Sequence, residues 1–421
     1  MLVNTTTQRL KVLELFGGIG SPRKALENLG IDTKTVDYVE WWDWPVKAYN
    51  KLFRHLYKPQ NILDWNMDID ILVHGSPCQD FSVAGKNDLS SGRSILYLRT
   101  LEIIGKELKN RPKVVVWENV KGLLSKKNFP HFKHYLDTME SFGYVNHYKV
   151  LNSKEFGIPQ SRNRVFVVSI LKGQTLFNND FNFDNLEKTE MKPLKSFLEK
   201  EVDKSYFITQ NSMKKAIEAG KIKIVDNVCE TITTKQFRWN NAGVVKVPIT
   251  SFEMENKAFD INSTVGTLTT NSKINKIMVP LLEINNDYDY RMSDGSKRPI
   301  GKINKEDNIT IPISNNHTSN KVGVDCAMTI TTTQNTSKIL VDAIEPIEGV
   351  PIFIIDNKPY HLRVLTQRET WRLMGWDDNS IDKVIDMPKT HMYHMAGNAI
   401  VVQVLEAIFK ELFRGSIYER K

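Results

Sequence analysis

The sequence predicts an α/β protein with a second, smaller β-rich domain. At the start of the chain an apolar strand, a glycine-rich turn and a helix follow one another, and later apolar runs end in polar or acidic residues. In the middle of the chain the composition shifts to Thr, Asn, Ser and Lys, which is typical of short strands and loops. A length of 421 residues is sufficient for two domains.

The composition is that of an ordinary globular protein, with 41% hydrophobic and 25% charged residues. A net charge of +8 is compatible with a polyanionic partner but does not require one. Cys78, Cys229 and Cys326 are too few and too scattered for a disulfide framework or a metal cluster, so we expect no metal site. The sequence opens without a leader-like segment and shows no apolar run long enough to cross a bilayer; we therefore expect a cytoplasmic protein without a membrane partner.

The glycine-rich turn predicts a cofactor site. Leu10–Phe16 is predicted to be a strand, and the glycines of residues 17–20 follow it directly. Ser21 and Pro22 suit the N-cap and the first position of a helix that ends at Gly30. Backbone amides at such a helix start can bind a ligand at close range, although ordinary turns also contain this pattern.

Residues after the next strands would extend that site. Val36–Trp41 is the second predicted strand, and Glu40 follows the glycines by roughly 20 residues, where an acidic residue can bind ribose hydroxyls. Trp41 could stack on an adenine ring, or it could belong to the core. Asp64 could accept a hydrogen bond from an exocyclic amine, or it could be a surface charge.

Cys78 is the predicted nucleophile. An apolar run ending at Val73 leads into Gly75, Ser76 and Pro77, so the thiol follows a buried strand, where α/β enzymes place their chemistry. Pro77 fixes its own φ and restricts Ser76 to extended conformations, which stiffens the backbone that carries the thiol. The alternative for a lone cysteine is a small buried hydrophobic residue.

A carboxylate and two arginines are the other candidate catalytic groups. Lys113–Val120 is predicted to be a fully buried parallel strand, and burying Glu118 near its carboxyl end is unfavourable unless that residue has a function. The alternative for Glu118 is an N-cap of the following turn. Arg162 and Arg164 alternate in an extended segment, so both should face one side and could bind phosphate or a base edge, or be surface charges.

Taken in order, these motifs resemble those of the cytosine-C5 DNA methyltransferases in their unpermuted arrangement. The resemblance covers about residues 10–172 and 360–413 and rests on Phe16-x-Gly18-x-Gly20, Glu40-Trp41, Asp64, Pro77-Cys78-Gln79, Glu118-Asn119-Val120, Gln160-x-Arg162-x-Arg164, Arg363-x-Leu365-Thr366-x-Arg368-Glu369 and Gly397-Asn398. It implies a Rossmann-like S-adenosylmethionine-dependent methyltransferase domain in residues 1–172 and a target-recognition domain in residues 173–361. Residues 362–421 would link the two lobes and complete the catalytic domain.

The resemblance also implies a mechanism and a cofactor. The thiolate of Cys78 would add to C6 of a cytosine flipped out of duplex DNA, so that C5 can accept the methyl group of S-adenosylmethionine. Glu118 would contact N3 and the exocyclic amine, and Arg162, accompanied by Arg164, would donate to O2. The implied cofactor contacts are Phe16, Gly18, Gly20, Glu40, Trp41, Asp64, Leu96 and Asn398.

The implied substrate is a specific short sequence in double-stranded DNA, and we expect a monomer acting in a prokaryotic cell or a phage-infected host. A restriction endonuclease of the same system would be a functional partner rather than a physical one. The alternatives are an RNA cytosine methyltransferase, a catalytically silent DNA-binding protein and a different glycine-rich nucleotide enzyme such as a dehydrogenase. The large middle region favours DNA over RNA, and the intact set of Cys78, Glu118 and Arg162 disfavours a silent protein.

The middle region contains a weak threonine-rich repeat. Its copies are Cys229–Thr234, Gly266–Thr270 and Met328–Thr332, in which threonine alternates with isoleucine or leucine as in β-strands. In the family, a strand of this kind helps to hold the DNA backbone. Three copies could build an enlarged recognition domain, serve more than one target sequence, or reflect strand propensity alone.

Three further segments carry structural predictions. Thr366 and Glu369 fit a capping box at the start of a helix over residues 366–375. Apolar residues at helical spacing predict a helix over Ala399–Phe413. Gly173–Lys192 lacks periodicity and is predicted to be a linker.

Overall fold

Contacts within a computed structural model divide the chain into two units, residues 1–250 with 339–421 and residues 251–338. The structure describes residues 9–62, 69–76, 96–106, 111–209, 215–217, 219, 223–234, 244–249, 290–292, 297–298, 308–312, 319–323, 346–355 and 358–419. The division differs from the functional boundaries predicted at 172/173 and 361/362, because the segment that follows residue 172 packs into the first unit.

A six-stranded sheet in the order β2-β1-β3-β4-β6-β5 forms the centre of the first unit. Its strands are β1 (Leu10–Leu15), β2 (Thr33–Val39), β3 (Ile71–His74), β4 (Val114–Val120), β5 (Tyr144–Asn152) and β6 (Asn163–Leu171). Strands β1 to β4 run parallel, whereas β6 is antiparallel to both of its neighbours. The α/β class is thus confirmed, with β4 parallel to one neighbour only.

Helices cover both faces of this sheet. In the described part of the chain they are α1 (Ser21–Asn28), α2 (Asp43–Phe53), α3 (Leu96–Lys106), α4 (Phe129–Ser141), α5 (Gln367–Arg372), α6 (Asp378–Asp382), α7 (Lys389–Asn398) and α8 (Val402–Phe413). Alternate residues of β4 enter two separate apolar clusters. Val114 and Val116 pack with residues of α1 and α8, and Val115 and Trp117 pack with residues of α3 and α4. Burial on both faces explains the unbroken apolar run of this strand.

Two local predictions are corrected. Ser21 is the first helical residue rather than the N-cap, because Gly20 adopts a left-handed conformation (φ 82°) and turns the chain directly into α1. The segment predicted to be a linker packs into the core through Phe177, Phe181 and Phe183. No single helical or strand period fits all three phenylalanines, so periodicity did not reveal their burial.

Smaller sheets occur in each unit. The first unit contains β7 (Ile224–Val225), β8 (Val244–Pro248), β13 (Phe353–Ile355) and β14 (Lys358–Arg363), in the order β13-β14-β8-β7. The second unit contains β9 (Tyr290–Met292), β10 (Lys297–Arg298), β11 (Asn308–Pro312) and β12 (Ser319–Gly323), in the order β10-β9-β11-β12. The second and third copies of the threonine repeat lie outside the described residues.

Among the described residues, one stretch, Lys389–Phe413, is long and apolar enough to cross a membrane by length and composition. Its mean hydropathy is 1.2, and 78% of it is buried inside the protein. It consists of α7 and α8, between which Ala399 and Val401 are extended. Burial within the first unit is the behaviour expected of a core segment.

The predicted capping box is confirmed at α5, where the Thr366 side chain accepts from the Glu369 amide and Glu369 accepts from the Thr366 amide. The Glu369 carboxylate also receives two bonds from Arg363, of 2.8 and 2.7 Å. Both side chains are at most 1% exposed. The helix start is therefore fixed by a fully desolvated ion pair.

Replacement of Arg363 by alanine should destabilise the protein strongly, because the Glu369 carboxylate would remain buried without its cation. We expect a loss of about 3–5 kcal/mol in the free energy of unfolding, measured by urea denaturation. Arg9→Ala, which breaks an exposed pair with Asp32, is the control and should change that free energy by less than about 1 kcal/mol. Equal losses in the two variants would contradict this assignment.

Candidate active site

Strand register brings four predicted positions to one edge of the sheet. Leu15 pairs with Val39 and with His74, and His74 pairs with Trp117. Because these strands are parallel, the residue that follows each of them lies at the same edge. Those residues are Phe16, Glu40, Gly75 and Glu118.

The glycine-rich turn is held by side chains of the neighbouring strand. The Glu40 carboxylate accepts from the Gly18 amide at 3.2 Å and from the Trp42 amide at 3.0 Å. The Tyr38 hydroxyl donates to the Gly18 carbonyl. Burial raises the pKa of Glu40, and the amide donors act in the opposite direction. Glu40 thus fixes the turn, a structural role that the sequence analysis did not anticipate.

One side of the turn is closed by aromatic rings and the other is open. A Cβ at Gly17 would lie 2.7 Å from the Tyr38 ring, and one at Gly20 would lie 2.6 Å from the rings of Tyr49 and Phe53. A Cβ at Gly18, in contrast, would meet no described atom within 4 Å. The open side is therefore at Gly18, where a ligand could lie against the backbone.

Aromatic residues connect the two ends of the chain beside this turn. Trp41 is 73% exposed, so it does not belong to the core, which was the alternative considered from sequence. The centroids of the Trp42 and His394 rings are 4.4 Å apart. Nδ1 of His394 in turn lies 3.2 Å from the side-chain amide nitrogen of Asn398. Asn398, at the end of α7, is thereby joined to the segment that follows Glu40.

Of the remaining predicted cofactor residues, Leu96 lies in the described part of the chain and Asp64 does not. Leu96 opens α3 and packs, like Phe16, against the apolar cluster under one sheet face. Asp64 and Cys78 lie outside the described residues. Their roles remain predictions.

Glu118 lies next to the backbone that leads towards Cys78. A Cβ at Gly75 would be 3.9 Å from Oε2 of Glu118. The Asn119 amide donates to the Ser76 carbonyl at 3.4 Å, and the Trp117 indole donates to the Ser76 hydroxyl at 3.0 Å. The ends of β3 and β4 are therefore tied together two residues before the predicted nucleophile.

Arg164 is the partner of Glu118. Its Nε lies 3.1 Å from Oε1 of Glu118, and both side chains are largely buried. Glu118, Arg162 and Arg164 line one small cavity of about 10 Å³, which is room for about one water molecule. The three predicted polar groups are thus neighbours, as the sequence indicated.

Arg162 has a different environment from the one expected. The sequence predicts that both arginines face a ligand, but the Arg162 side chain is buried and donates to main-chain carbonyls. It binds the oxygens of Ile232 at 3.0 Å, Gly397 at 3.2 Å and Ala399 at 2.8 Å. Arg162 therefore joins three distant segments, and Arg164 is the arginine paired with the acid.

The first copy of the threonine repeat is docked beside Arg162. The Cys229 amide donates to the Pro159 carbonyl at 2.9 Å, and the Ile232 amide donates to the Gln160 side chain at 3.0 Å. A Cβ at Gly397 would lie 2.3 Å from the Thr233 carbonyl carbon. Only glycine allows this approach, so the repeat and the Gly397-Asn398 motif are in direct backbone contact.

Glu14 is a buried acid that the sequence analysis missed. It lies in β1 two residues before Phe16, is fully buried, and accepts a bond of 2.9 Å from the Tyr49 hydroxyl. Burial raises the pKa of this carboxyl to about 7, although Tyr49 and Arg23 act in the opposite direction. An acidic residue flanked by Val12, Leu13 and Leu15 in a predicted buried strand was the available signal.

A larger cavity of about 670 Å³ lies elsewhere in the first unit. Residues of α1, the 187–197 segment and α8 line it, and none of the predicted site residues is among them. The cavity is thus separate from the strand edge described above.

Known proteins resemble this chain over most of its length. A family model described as C-5 cytosine-specific DNA methylase matches residues 10–414. The orphan methyltransferase M.Rho11sI of Bacillus phage rho11s is 25% identical, over 98% of this chain and 99% of that protein. The orphan methyltransferase M.SPRI of Bacillus phage SPR is 26% identical over 96% of this chain and 97% of that protein. The type II methyltransferase M2.ScrFI of Lactococcus lactis subsp. cremoris is 28% identical over 82% of this chain and 67% of that protein.

Solved structures resemble the fold at low sequence identity. S. pombe Dnmt2 methyltransferase superposes with a TM-score of 0.59 at 19% identity, over 97% of this chain and 99% of that chain. Entamoeba histolytica methyltransferase EhMeth gives a TM-score of 0.61 at 16% identity, with the same coverage. The predicted Rossmann-like fold is confirmed.

The buried carboxyl of Glu14 should make stability depend on pH. Its pKa is raised in the folded protein, so between about pH 4.5 and 7 the folded state retains a proton that the unfolded chain has released, and stability falls as the pH rises. The Glu14→Gln variant has no carboxyl at this position, so its stability does not fall with pH for this reason. Its free energy of unfolding relative to wild type should increase over this range by at most about 1.4 kcal/mol per pH unit.

Urea denaturation at several pH values measures this difference. Burial lowers the pKa of His74, which makes stability rise with pH, but this contribution is the same in both proteins and cancels in the comparison. Glu102→Gln, on the exposed side of α3, should show the wild-type pH dependence. A Glu14→Gln difference that is flat or falls with pH would contradict the assignment.

Proposed function

Because the chain belongs to the C-5 cytosine-specific DNA methylase family, we propose that it methylates C5 of cytosine within a specific sequence of duplex DNA, using S-adenosylmethionine. One observation carries this proposal. The Glu118–Arg164 pair, the backbone leading to Cys78 and the glycine-rich turn lie at one edge of the sheet. Acid, nucleophile and methyl donor would have to meet at such an edge.

The described residues fit S-adenosylmethionine. The open side of Gly18 allows close approach to the backbone, and the exposed Trp41 ring is available for stacking on the adenine. Glu40 holds the turn, and each of its oxygens, which accepts one amide hydrogen bond, has a further lone pair for the ribose hydroxyls. Phe16, Gly20, Leu96, Asp64 and Asn398 would complete the site, as the family resemblance implies. The electrophilic methyl group comes from the sulfonium of this cofactor.

The proposed reaction begins with addition of the Cys78 thiolate to C6 of a flipped-out cytosine. Electron density would then move to C5, where a bond to the methyl group would form as the sulfonium–methyl bond breaks and the neutral thioether leaves. Glu118 contacts N3 and the exocyclic amine, and a proton held at N3 stabilises the developing charge. Loss of the C5 proton and elimination of the thiolate release the product.

Arg164 rather than Arg162 is the proposed donor to cytosine O2. Arg164 lies beside Glu118, so its guanidinium can reach the same base edge. The Arg162 nitrogens Nη1 and Nη2 are bound to three carbonyls that hold the site together. Arg162 is therefore proposed to be a positioning residue.

The biological setting is proposed from the relatives. Several are phage orphan methyltransferases and others are named type II enzymes, so a cytoplasmic, monomeric enzyme, with or without a restriction endonuclease in the same system, is the proposed context. Residues 173–361 would include the target-recognition domain. The three threonine repeats would contribute to it, and their number does not fix how many sequences are read.

Replacement of Cys78 by serine should abolish methylation and leave S-adenosylmethionine binding intact, because the cofactor residues are unchanged. With S-adenosylmethionine and duplex DNA containing 5-fluorocytosine, wild type should form a covalent adduct that survives denaturation, whereas Cys78→Ser should not. Gel shift after denaturation measures the adduct, and bisulfite sequencing of DNA from expressing cells gives the target.

Cys229→Ala is the matched control, because burial raises the pKa of that thiol and keeps it protonated. It should retain adduct formation. Methylation of duplex DNA by Cys78→Ser would contradict the mechanism. Methylation of transfer RNA in place of duplex DNA would favour the RNA alternative.

The two arginines should respond differently to substitution by alanine. Arg164→Ala should lower kcat about 10²-fold or more, because it removes a donor from the reacting base, and should lower the melting temperature less than Arg162→Ala, because Arg164 is the more exposed of the two. Arg162→Ala should lower the melting temperature by many degrees, because it leaves buried carbonyls without a donor. Activity assays and thermal unfolding separate these outcomes, and the reverse pattern would restore the role predicted from sequence.

A further inference from the structure

We propose that Trp117 and Ser76 form a clamp that positions the nucleophile: the Trp117 indole N–H holds the Ser76 hydroxyl and thereby sets the backbone from which Cys78 extends. This inference rests on the proposed function, since it concerns how the reactive sulfur is placed. Trp117 and Ser76 are positioning residues and do not touch the substrate.

The hydrogen bond between them is buried. Trp117 Nε1 lies 3.0 Å from Ser76 Oγ, and both residues are at most 5% exposed. The Asn119 amide donates to the Ser76 carbonyl, so one residue of the loop is held at both its side chain and its main chain by β4. Without water as a competitor, loss of either partner leaves the other polar group unsatisfied.

Trp117 itself has little freedom to move. Its ring lies parallel to that of His74, with centroids 5.6 Å apart and planes 5° apart, and 4.1 Å from the ring of Tyr135. His74 Nε2 is 3.1 Å from the Tyr135 hydroxyl. Burial lowers the pKa of His74 to about 3, so this ring stays neutral at ordinary pH and introduces no charge beside the indole.

The position of the clamp in the chain gives it its effect. Between Ser76 and Cys78 there is only Pro77, whose φ is fixed and which restricts Ser76 to extended conformations. A change in the orientation of Ser76 is therefore transmitted to Cys78 with few rotatable bonds to absorb it. On β4, Trp117 is followed directly by Glu118, so the same strand positions both the acid and the nucleophile.

Substitutions that remove the hydrogen bond, compared with a control that makes the same change of volume elsewhere, test the proposal. Trp117→Phe retains an aromatic ring without the donor, and Ser76→Ala removes the acceptor with a minimal change of volume. Each should slow adduct formation on 5-fluorocytosine duplex, and kcat, by about tenfold, with the dissociation constant of S-adenosylmethionine unchanged. The double variant should be no slower than the slower single variant, because both remove one interaction.

Trp376→Phe is the matched control. Trp376 is as buried as Trp117, but among the described residues its indole nitrogen has no hydrogen-bond partner. This variant should form the adduct within about twofold of the wild-type rate, since no bond is lost.

Two outcomes would overturn the clamp. One is a wild-type rate of adduct formation in both Trp117→Phe and Ser76→Ala, which, with a lower melting temperature, would assign the pair to packing alone. The other is a double variant whose loss equals the product of the single losses. If wild type forms no adduct, the proposed function fails, which is a distinct result from variants that match an active wild type.

Discussion

The parallel hydrogen-bond register of β1 to β4 is the constraint on which the site depends. It aligns four strand ends, so that residues far apart in the sequence follow one another along a single edge. No long side chain is needed to bring Glu118 near Gly75 or Glu40 near Gly18. Alternate side chains of these strands pack into two different apolar clusters, so a slip of one residue would turn every side chain into the wrong cluster.

A second set of contacts attaches the end of the chain to this edge. Arg162 binds carbonyls on either side of Asn398, and Trp42 contacts His394 on the same helix. The carboxyl-terminal residues are therefore part of the proposed cofactor site through a buried cation and an aromatic contact, while α8 packs on the sheet through apolar residues. Removing either attachment would leave the glycine-rich turn intact but the site incomplete.

Sequence could predict those parts of the molecule whose signals are local. The strand with Glu118, the glycine-rich turn and the capping box of Thr366 all have short-range patterns, and each lies where expected. The sequence analysis gave Arg162 a role at the ligand, because its carbonyl acceptors at Ile232 and Ala399 are 70 and 237 residues away and could not be recognised. The hydrogen bond between Trp117 and Ser76 could not be predicted either, since bonds across neighbouring strands join residues at no fixed distance along the sequence. Cys78 and Asp64 remain sequence predictions.

The contact between Gly397 and Thr233 bears on how chimeras of such enzymes would have to be made. There the two backbones meet with no room for even a methyl group, so the Cys229–Thr234 segment is fitted to the body of the first unit. An exchange of middle regions between relatives would preserve this fit only if the graft junction followed residue 234. A junction placed earlier would bring in a segment fitted to the glycine of another protein.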